Sequence, residues 1–532
     1  MNKKDALELK LNKPQITQMK VGAQILEHLS KGIYSNPAYA IKELINNAYD
    51  AEAKNVIIRA KPEFDTFSIT DDGEGMNYKE FSDRFVWISR SDRRDKGELT
   101  KNLKRPIIGK FGIGFIAVSE ICNKMKIIST KENENYKFEA EIDFSKFRKS
   151  QPKEKEFYEL SEVKFINKPE EKEEHYTMII LTDLSRGFRE LLEDKERKER
   201  GIEVVNFDGK KFEDIVEEIE KNKLDISKDV GRYWQLILQI ANIVPVEYLN
   251  NGPIRVPSKD GGSLKTINDI KNYVKSLNFS VDFDGVYLKK PILLPNEEEI
   301  KNLGEDFQIY SFKEKFNFDD KSRLYFRGYV YNQKQMIKPP QLQGIILRIK
   351  NVAIIMDPNF LEYPYAEKLF IPWNFGEIYI EEGLEEALNI NRNSFRITHP
   401  HYRKIENYLH DLLHYKVFVD CRVRWDERKE NKRKIEEEIR KENAKSYLNS
   451  EFRKSFKIEY NDTQAKYPIE IDLENNRLFI NKNNPIYRKI KKKDRNFLED
   501  ILIRFETSYK KSEGNVEKLK SIFLEGLAKW KK

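Results

Sequence analysis

Three polar side chains, Glu43, Asn47 and Asp50, stand at i, i+4 and i+7 in the segment Glu-Leu-Ile-Asn-Asn-Ala-Tyr-Asp-Ala, residues 43–51. At about 100° per residue they share one narrow face of a helix. Ile41, Leu44, Ile45 and Ala48 fall on the opposite face, the one such a helix would bury. A carboxylate one turn from an amide suits water activation and magnesium ligation beside a polyphosphate. The same spacing fits an ordinary amphipathic helix, so the chemistry depends on what accompanies it.

Two companions follow. Asp72-Gly73-Glu74-Gly75-Met76 comes after two strand-like runs, residues 55–60 and 66–70, that read as a hairpin. An aspartate at a strand end can accept a hydrogen bond from an exocyclic amine, and glycines let the backbone turn and approach a flat ring. An ordinary Asp-Gly turn has the same signature. Gly109-Lys110-Phe111-Gly112-Ile113-Gly114-Phe115 then leads into a helical pattern. Glycines opening a helix present free N–H groups to an anion, and the helix dipole adds attraction.

The order and spacing of these motifs resemble the GHKL superfamily of ATPases, which includes gyrase, heat-shock protein 90, histidine kinases and MutL. The strand-like run His175-Tyr176-Thr177-Met178-Ile179-Ile180-Leu181 adds a fourth matching element. The resemblance implies an α+β chain that opens with a Bergerat two-layer α/β sandwich binding Mg-ATP. It makes Glu43 the general base or water-positioner and Asn47 the magnesium ligand. Asp72 would read the adenine amino group, Gly75 and Met76 would shape the base pocket, and Thr177 would support Asp72. The stretch from Gly109 through Lys110, Phe111, Gly112, Ile113 and Gly114 to Phe115 would wrap the phosphates. Asp50 is expected to be structural. Residues 77–108 would form the nucleotide lid, where basic residues outnumber acidic ones between Arg90 and Arg105.

Further along, Gly344–Ile354 reads as a strand with basic alternation, and Gly383–Asn393 contains Leu388-Asn389-Ile390-Asn391-Arg392. The pair is similar to the heat-shock protein 90 middle domain, whose Leu-Asn-x-x-Arg loop sends an arginine to the γ-phosphate. Arg392 is the matching position, although Asn393 and Arg396 stand where the chaperone has glutamate and glutamine. An arginine so supplied is worth roughly 10³–10⁵ in rate. In the lid, Ile88–Arg94 looks closer to the MORC branch, which compacts DNA. The resemblance therefore implies an ATP-gated, chaperone-like dimer that remodels a protein client, with a MORC- or MutL-like DNA clamp as the alternative.

The chain has 532 residues, net charge +8 and two cysteines, Cys122 and Cys421, far apart in sequence. This fits two to four domains in a reducing cytoplasm and argues against a disulfide framework. No apolar run is long enough to span a bilayer, and the first residues lack a secretory signal pattern. The expected division is an ATP domain over 1–250, an α/β middle domain over 251–415 and a mixed, mainly helical domain over 416–532, a candidate dimerisation or partner module. His410-Asp411-Leu412-Leu413-His414 mimics a zinc-protease helix, but a packed helix is the default. The basic cluster 488–495 permits nucleic-acid contact without requiring it.

Overall fold

The computed structural model describes residues 36–81, 99–109, 114–145, 164–255, 261–295, 307–333, 335–389, 394–460, 467–490 and 494–528. Two compact units result, residues 1–419 and 420–532.

The first unit is built on two sheets. Helix α1 (Pro37–Asp50) is capped by Asn36, whose side chain accepts from Ala38 N, and Pro37 stands at its first position. It is followed by β1 (Asn55–Arg59), β2 (Phe67–Asp71), β3 (Cys122–Thr130), β4 (Tyr136–Asp143), β5 (Lys164–Pro169) and β6 (Tyr176–Leu184). Helices α2 (Phe212–Lys221), α3 (Arg232–Ile243) and α4 (Gly261–Ser276) precede β7 (Ser280–Phe283) and β8 (Val286–Tyr287). The eight strands form one sheet in the order β5-β4-β3-β6-β2-β1-β7-β8, antiparallel except where β7 runs parallel to β1. Its inner face carries matched apolar rows: Phe67, Leu181 and Met125 lie side by side, as do Ile69, Ile179 and Ile127. Period-2 alternation along β2 and β6 puts these residues inside.

Because β7 and β8 complete the first sheet, the boundary expected at 250/251 does not coincide with an edge of that sheet. Parallel pairing needs a crossover, and α4 supplies it.

The second sheet has the order β12-β11-β13-β10-β9. Its strands are β9 (Phe307–Asn317), β10 (Arg323–Gln333), β11 (Gly344–Ile349), β12 (Val352–Asp357) and β13 (Asn374–Glu382). The single strand expected over 344–354 is instead the hairpin β11–β12. Lys350 and Asn351 form its two-residue turn, both left-handed at φ 51° and 68°. That conformation matches the twist of the flanking strands, and it outweighs the local preference of Lys350. Helix α5 (Pro400–Leu412) carries His410, whose Nε2 lies 3.0 and 3.1 Å from the carbonyls of Phe360 and Leu361. His414 Nδ1 faces Tyr363 instead, at 3.3 Å. Among the described residues no three His, Cys, Asp or Glu side chains are grouped to hold a metal.

Helix α6 (Phe418–Phe452) runs into the second unit, where β14 (Lys457–Tyr460), β15 (Ile469–Asp472) and β16 (Arg477–Ile480) pair in the order β14-β16-β15. Leu448, Phe456, Ile471, Leu478 and Ile503 form its core, the last from α7 (Arg495–Ser512), which also packs on α8 (Val516–Ala528). Both cysteines are free and buried. No described helix is long and apolar enough to cross a membrane.

One buried cation ties the first unit together. Arg105 donates to the carbonyls of Leu277 (2.7 Å), Ala53 (2.5 Å) and Asn278 (2.6 Å), with the Tyr49 ring 4.9 Å away. Arg105→Met keeps the aliphatic volume but strips three carbonyls of their donor. It should lower stability in urea unfolding by on the order of 3 kcal/mol; an unchanged midpoint would show the contacts to be dispensable.

Candidate functional site

Helix α1 is buried on nearly every side. Ile41, Leu44, Ile45 and Ala48 face the core as expected, yet Lys42, Glu43 and Asn46 are buried too. The 3₁₀ turn Gly114–Glu120 and α3 pack against α1, and the β11–β12 hairpin faces it across a cavity. The cavity is lined by Lys42, Glu43 and Asn46 of α1 together with Ile108, Lys350 and Glu385. Inside it Lys42 Nζ lies 3.8 Å from Glu43 Oε1, and Lys350 Nζ lies 3.3 Å from Glu385 Oε1. The buried charges of Lys42 and Glu43 thus share one cavity with the half-buried pair Lys350 and Glu385, where each interacts more strongly than in water. Asn46 Oδ1 is buried there without a hydrogen-bond partner among the described residues. A polar group so held is costly unless something fills its valence.

Asn47 is half-buried one turn after Glu43. At 1.5 Å per residue, Glu43 sits about 10 Å along α1 from Asp50. The two carboxylate oxygens of Asp50 accept from Ile108 N and Gly109 N, both at 2.7 Å. One carboxylate therefore pins the start of the glycine-rich stretch. From the other side Lys350 Nζ donates to Ile107 O at 2.7 Å. Residues 107–109 are gripped by α1 and by the second sheet together. Gly114 and Phe115 open the 3₁₀ turn Gly114–Glu120, whereas Lys110, Phe111, Gly112 and Ile113 lie outside the described residues.

At the far end of α1 the inner face of the sheet turns polar. Asp71, Thr177 and Ser129 stand side by side on β2, β6 and β3, one row beyond the isoleucines. Ser129 Oγ lies 3.0 Å from Thr177 Oγ1, donates to Tyr176 O at 2.8 Å and accepts from Met76 N at 3.0 Å. Asp71 accepts from Gly73 N at 3.0 Å, and His175 Nδ1 lies 2.8 Å from Gly73 O. Burial pushes the Asp71 carboxyl up to about 7, against the lowering pull of the Gly73 hydrogen bond; Asp72 adds to the rise and His175 opposes it.

Asp72, expected from the sequence to read the adenine, is not part of this row. Its side chain is exposed and caps the start of β1, accepting from Lys54 N (2.7 Å), Asn55 N (2.8 Å) and Asn55 Nδ2 (2.7 Å). Neighbouring residues at a strand end point to opposite sides, so only one of two adjacent aspartates can face inward. Thr177 is correspondingly beside Asp71. Gly75 is left-handed at φ 65°, and a Cβ there would come within 1.7 Å of Thr130 O, so the turn admits only glycine. Met76 is buried behind it.

Arg392 and the lid segment 82–98 lie outside the described residues. The flanks of the Arg392 loop are joined by Asn389 N donating to Ser394 O at 3.0 Å, and Glu385 and Leu388 just before it line the Glu43 cavity. Lys350, Ser129 and Asp71 escaped the sequence reading. A polar Lys-Asn pair between two aliphatic runs was a readable turn signal, but nothing local marks Ser129.

A cradle of this kind has counterparts. Residues 34–177 match the family model described as histidine kinase-, DNA gyrase B- and HSP90-like ATPase. Over 107 residues the chain is 34% identical to a protein of Herpetosiphon aurantiacus named as a candidate type II restriction enzyme, HgiDII, covering 20% of this chain and 17% of that one. It is 29% identical over 147 residues to the chaperone protein HtpG of Sulfurovum sp. (strain NBC37-1), 24% of each chain. For HtpG of Polaromonas naphthalenivorans (strain CJ2) the identity is 32% over 130 residues, 20% of this chain and 21% of that one. The matches thus span only 17% to 24% of the relatives' own length. The likeness to the histidine kinase-, DNA gyrase B- and HSP90-like ATPase family is thus confined to residues 34–177.

Proposed function

We propose that the chain binds Mg-ATP along α1 and hydrolyses it only when the β11–β12 hairpin is seated over Glu43. The observation that carries this reading is the shared cavity of Glu43 and Lys350. The donor set fits a nucleotide: a buried polar row at one end of α1, a carboxylate and two amides at mid-helix, and two lysines beside them, Lys42 buried and Lys350 half-buried. Asp71, supported by Thr177 and Ser129, would accept from the adenine amino group, the role expected of Asp72. Asn47 would hold the magnesium ion. When bound, that ion neutralises phosphate charge and favours in-line attack. Glu43 would orient a water and take its proton. Lys350 would give its ammonium to the terminal phosphate, leaving Ile107 O and Glu385, the task the family likeness assigned to Arg392.

Domain closure of this kind can drive a protein partner, and the HtpG relatives favour a chaperone-like remodeller acting as a homodimer. The relative named as a restriction enzyme favours the second reading, an ATP-gated clamp on DNA. Retention of duplex DNA that needs ATP and weakens steeply with salt would select the clamp.

Two outcomes are expected. Glu43→Ala and Lys350→Ala should both still bind ATP, while turnover falls on the order of 10²-fold in phosphate-release assays; wild-type turnover in Lys350→Ala would remove the hairpin from the mechanism. Asp71 holds its proton in the free protein below about 7 and must release it to accept from adenine. Nucleotide affinity should therefore weaken as pH falls below about 7 and level off above it. Asp71→Asn should flatten that profile in titrations with adenosine, which has no titrating phosphate. A wild-type step surviving in Asp71→Asn would exclude Asp71 as its source.

A further inference from the structure

We propose that the buried Arg348–Glu377 pair is a positioning device that holds Lys350 in register with Glu43. The proposal rests on the role given above to Lys350. Arg348 and Lys350 are separated by one residue on β11 and its turn. Arg348 is fully buried, with Nε donating to Glu377 Oε1 at 2.7 Å. Its other two nitrogens grip the end of α3, donating to Asn242 O at 2.7 Å and Asn242 Oδ1 at 3.1 Å. Glu377 Oε2 accepts from Tyr248 OH (2.6 Å) and Tyr329 OH (2.7 Å), so the carboxylate is saturated. Asn242 Nδ2 reaches Met356 Sδ on β12 at 3.4 Å, so both strands of the hairpin are attached to the same helix end.

Helix α3 also carries the other half of the site. It packs against α1, and Asn36, the cap of α1, donates from Nδ2 to Gln239 Oε1 on α3 at 3.1 Å. A closed loop of contacts results: Glu43 on α1, Gln239 and Asn242 on α3, Arg348 and Lys350 on the hairpin, and back to Glu43 across the cavity. Stability alone gives little reason for such a pair, because well-packed apolar residues generally replace a buried ion pair at no loss. What apolar residues cannot supply is the fixed fork of a guanidinium, which sets direction as well as distance. Lys350 is already held in a left-handed turn, so a shift of β11 along α3 moves its ammonium away from Glu43.

The test uses the full-length protein with both charges removed, Arg348→Met/Glu377→Gln, in which the amide oxygen that replaces the carboxylate still accepts from the tyrosines. The double variant leaves Asn242 O and Oδ1 without their donor and should unfold at a lower midpoint, yet bind ATP with wild-type Kd, while kcat falls on the order of 10²-fold, the loss expected of roughly 1 Å of misplacement. Arg348→Lys, which keeps the charge but not the fork, should lose kcat as well. A folded double variant with wild-type kcat, alongside an inactive Lys350→Ala, overturns the proposal and leaves the Lys350 reading standing. Wild-type turnover in Lys350→Ala instead removes that reading and the proposal with it. If the double variant does not fold, Asn242→Leu decides: it spares the ion pair and loosens only the grip on α3, so an unchanged kcat overturns the proposal and a reduced kcat with unchanged Kd supports it.

Discussion

Burial of α1 from two sides constrains everything around it. A helix that faces a sheet on one side and solvent on the other can carry any polar residues on its outer stripe. Here the outer stripe is enclosed by α3, the turn Gly114–Glu120 and, across a cavity, the β11–β12 hairpin, so Lys42, Glu43 and Asn46 are held inside protein. The cover itself contributes Lys350, and Glu385 balances its charge. Had the second sheet stood clear of α1, Glu43 would be a solvated carboxylate with no reason for unusual chemistry. The two sheets therefore meet around one shared cavity.

The same logic explains why residues 99–109 are so heavily tethered. Glu52 accepts from Asn102 N and Leu103 N, Arg105 reaches three carbonyls, and Asp50 holds Ile108 and Gly109. Each tether comes from α1, from the turn after it, or from the loop before β7. The chain entering the glycine-rich stretch is thereby given a fixed origin, whatever conformations the residues beyond it adopt. Rigidity here comes from buried polar contacts rather than from apolar area, because the segment itself is polar.

Much of this was legible in the residues. The i, i+4, i+7 spacing located α1, alternation located β2 and β6, and the glycines marked the two turns. The errors have definite physical origins. In Asp71-Asp72 both residues suit a strand end, and only the pairing of Asp71 with Thr177 decides which one faces inward. Gly344–Ile354 passes for one strand when its basic residues are read as an alternation, whereas the polar Lys350-Asn351 pair between two aliphatic runs is the turn, both residues left-handed. Ser129 acquires its place through partners 47 and 48 residues away. Such long-range pairings have no local signature.

The parallel pairing of β7 with β1 has a consequence for how the chain can be divided. The segment that matches the ATPase family ends at residue 177, yet the strand that closes one side of its sheet arrives about a hundred residues later. A chain cut after residue 250 would leave β1 as a bare edge, with its N–H and C=O groups open to any passing strand. Arg105 would lose two of its three carbonyl acceptors at the same stroke, since Leu277 and Asn278 leave with β7. The segment that matches the ATPase family is therefore not a structurally detachable cassette. It depends on the following segment to return a strand to its sheet.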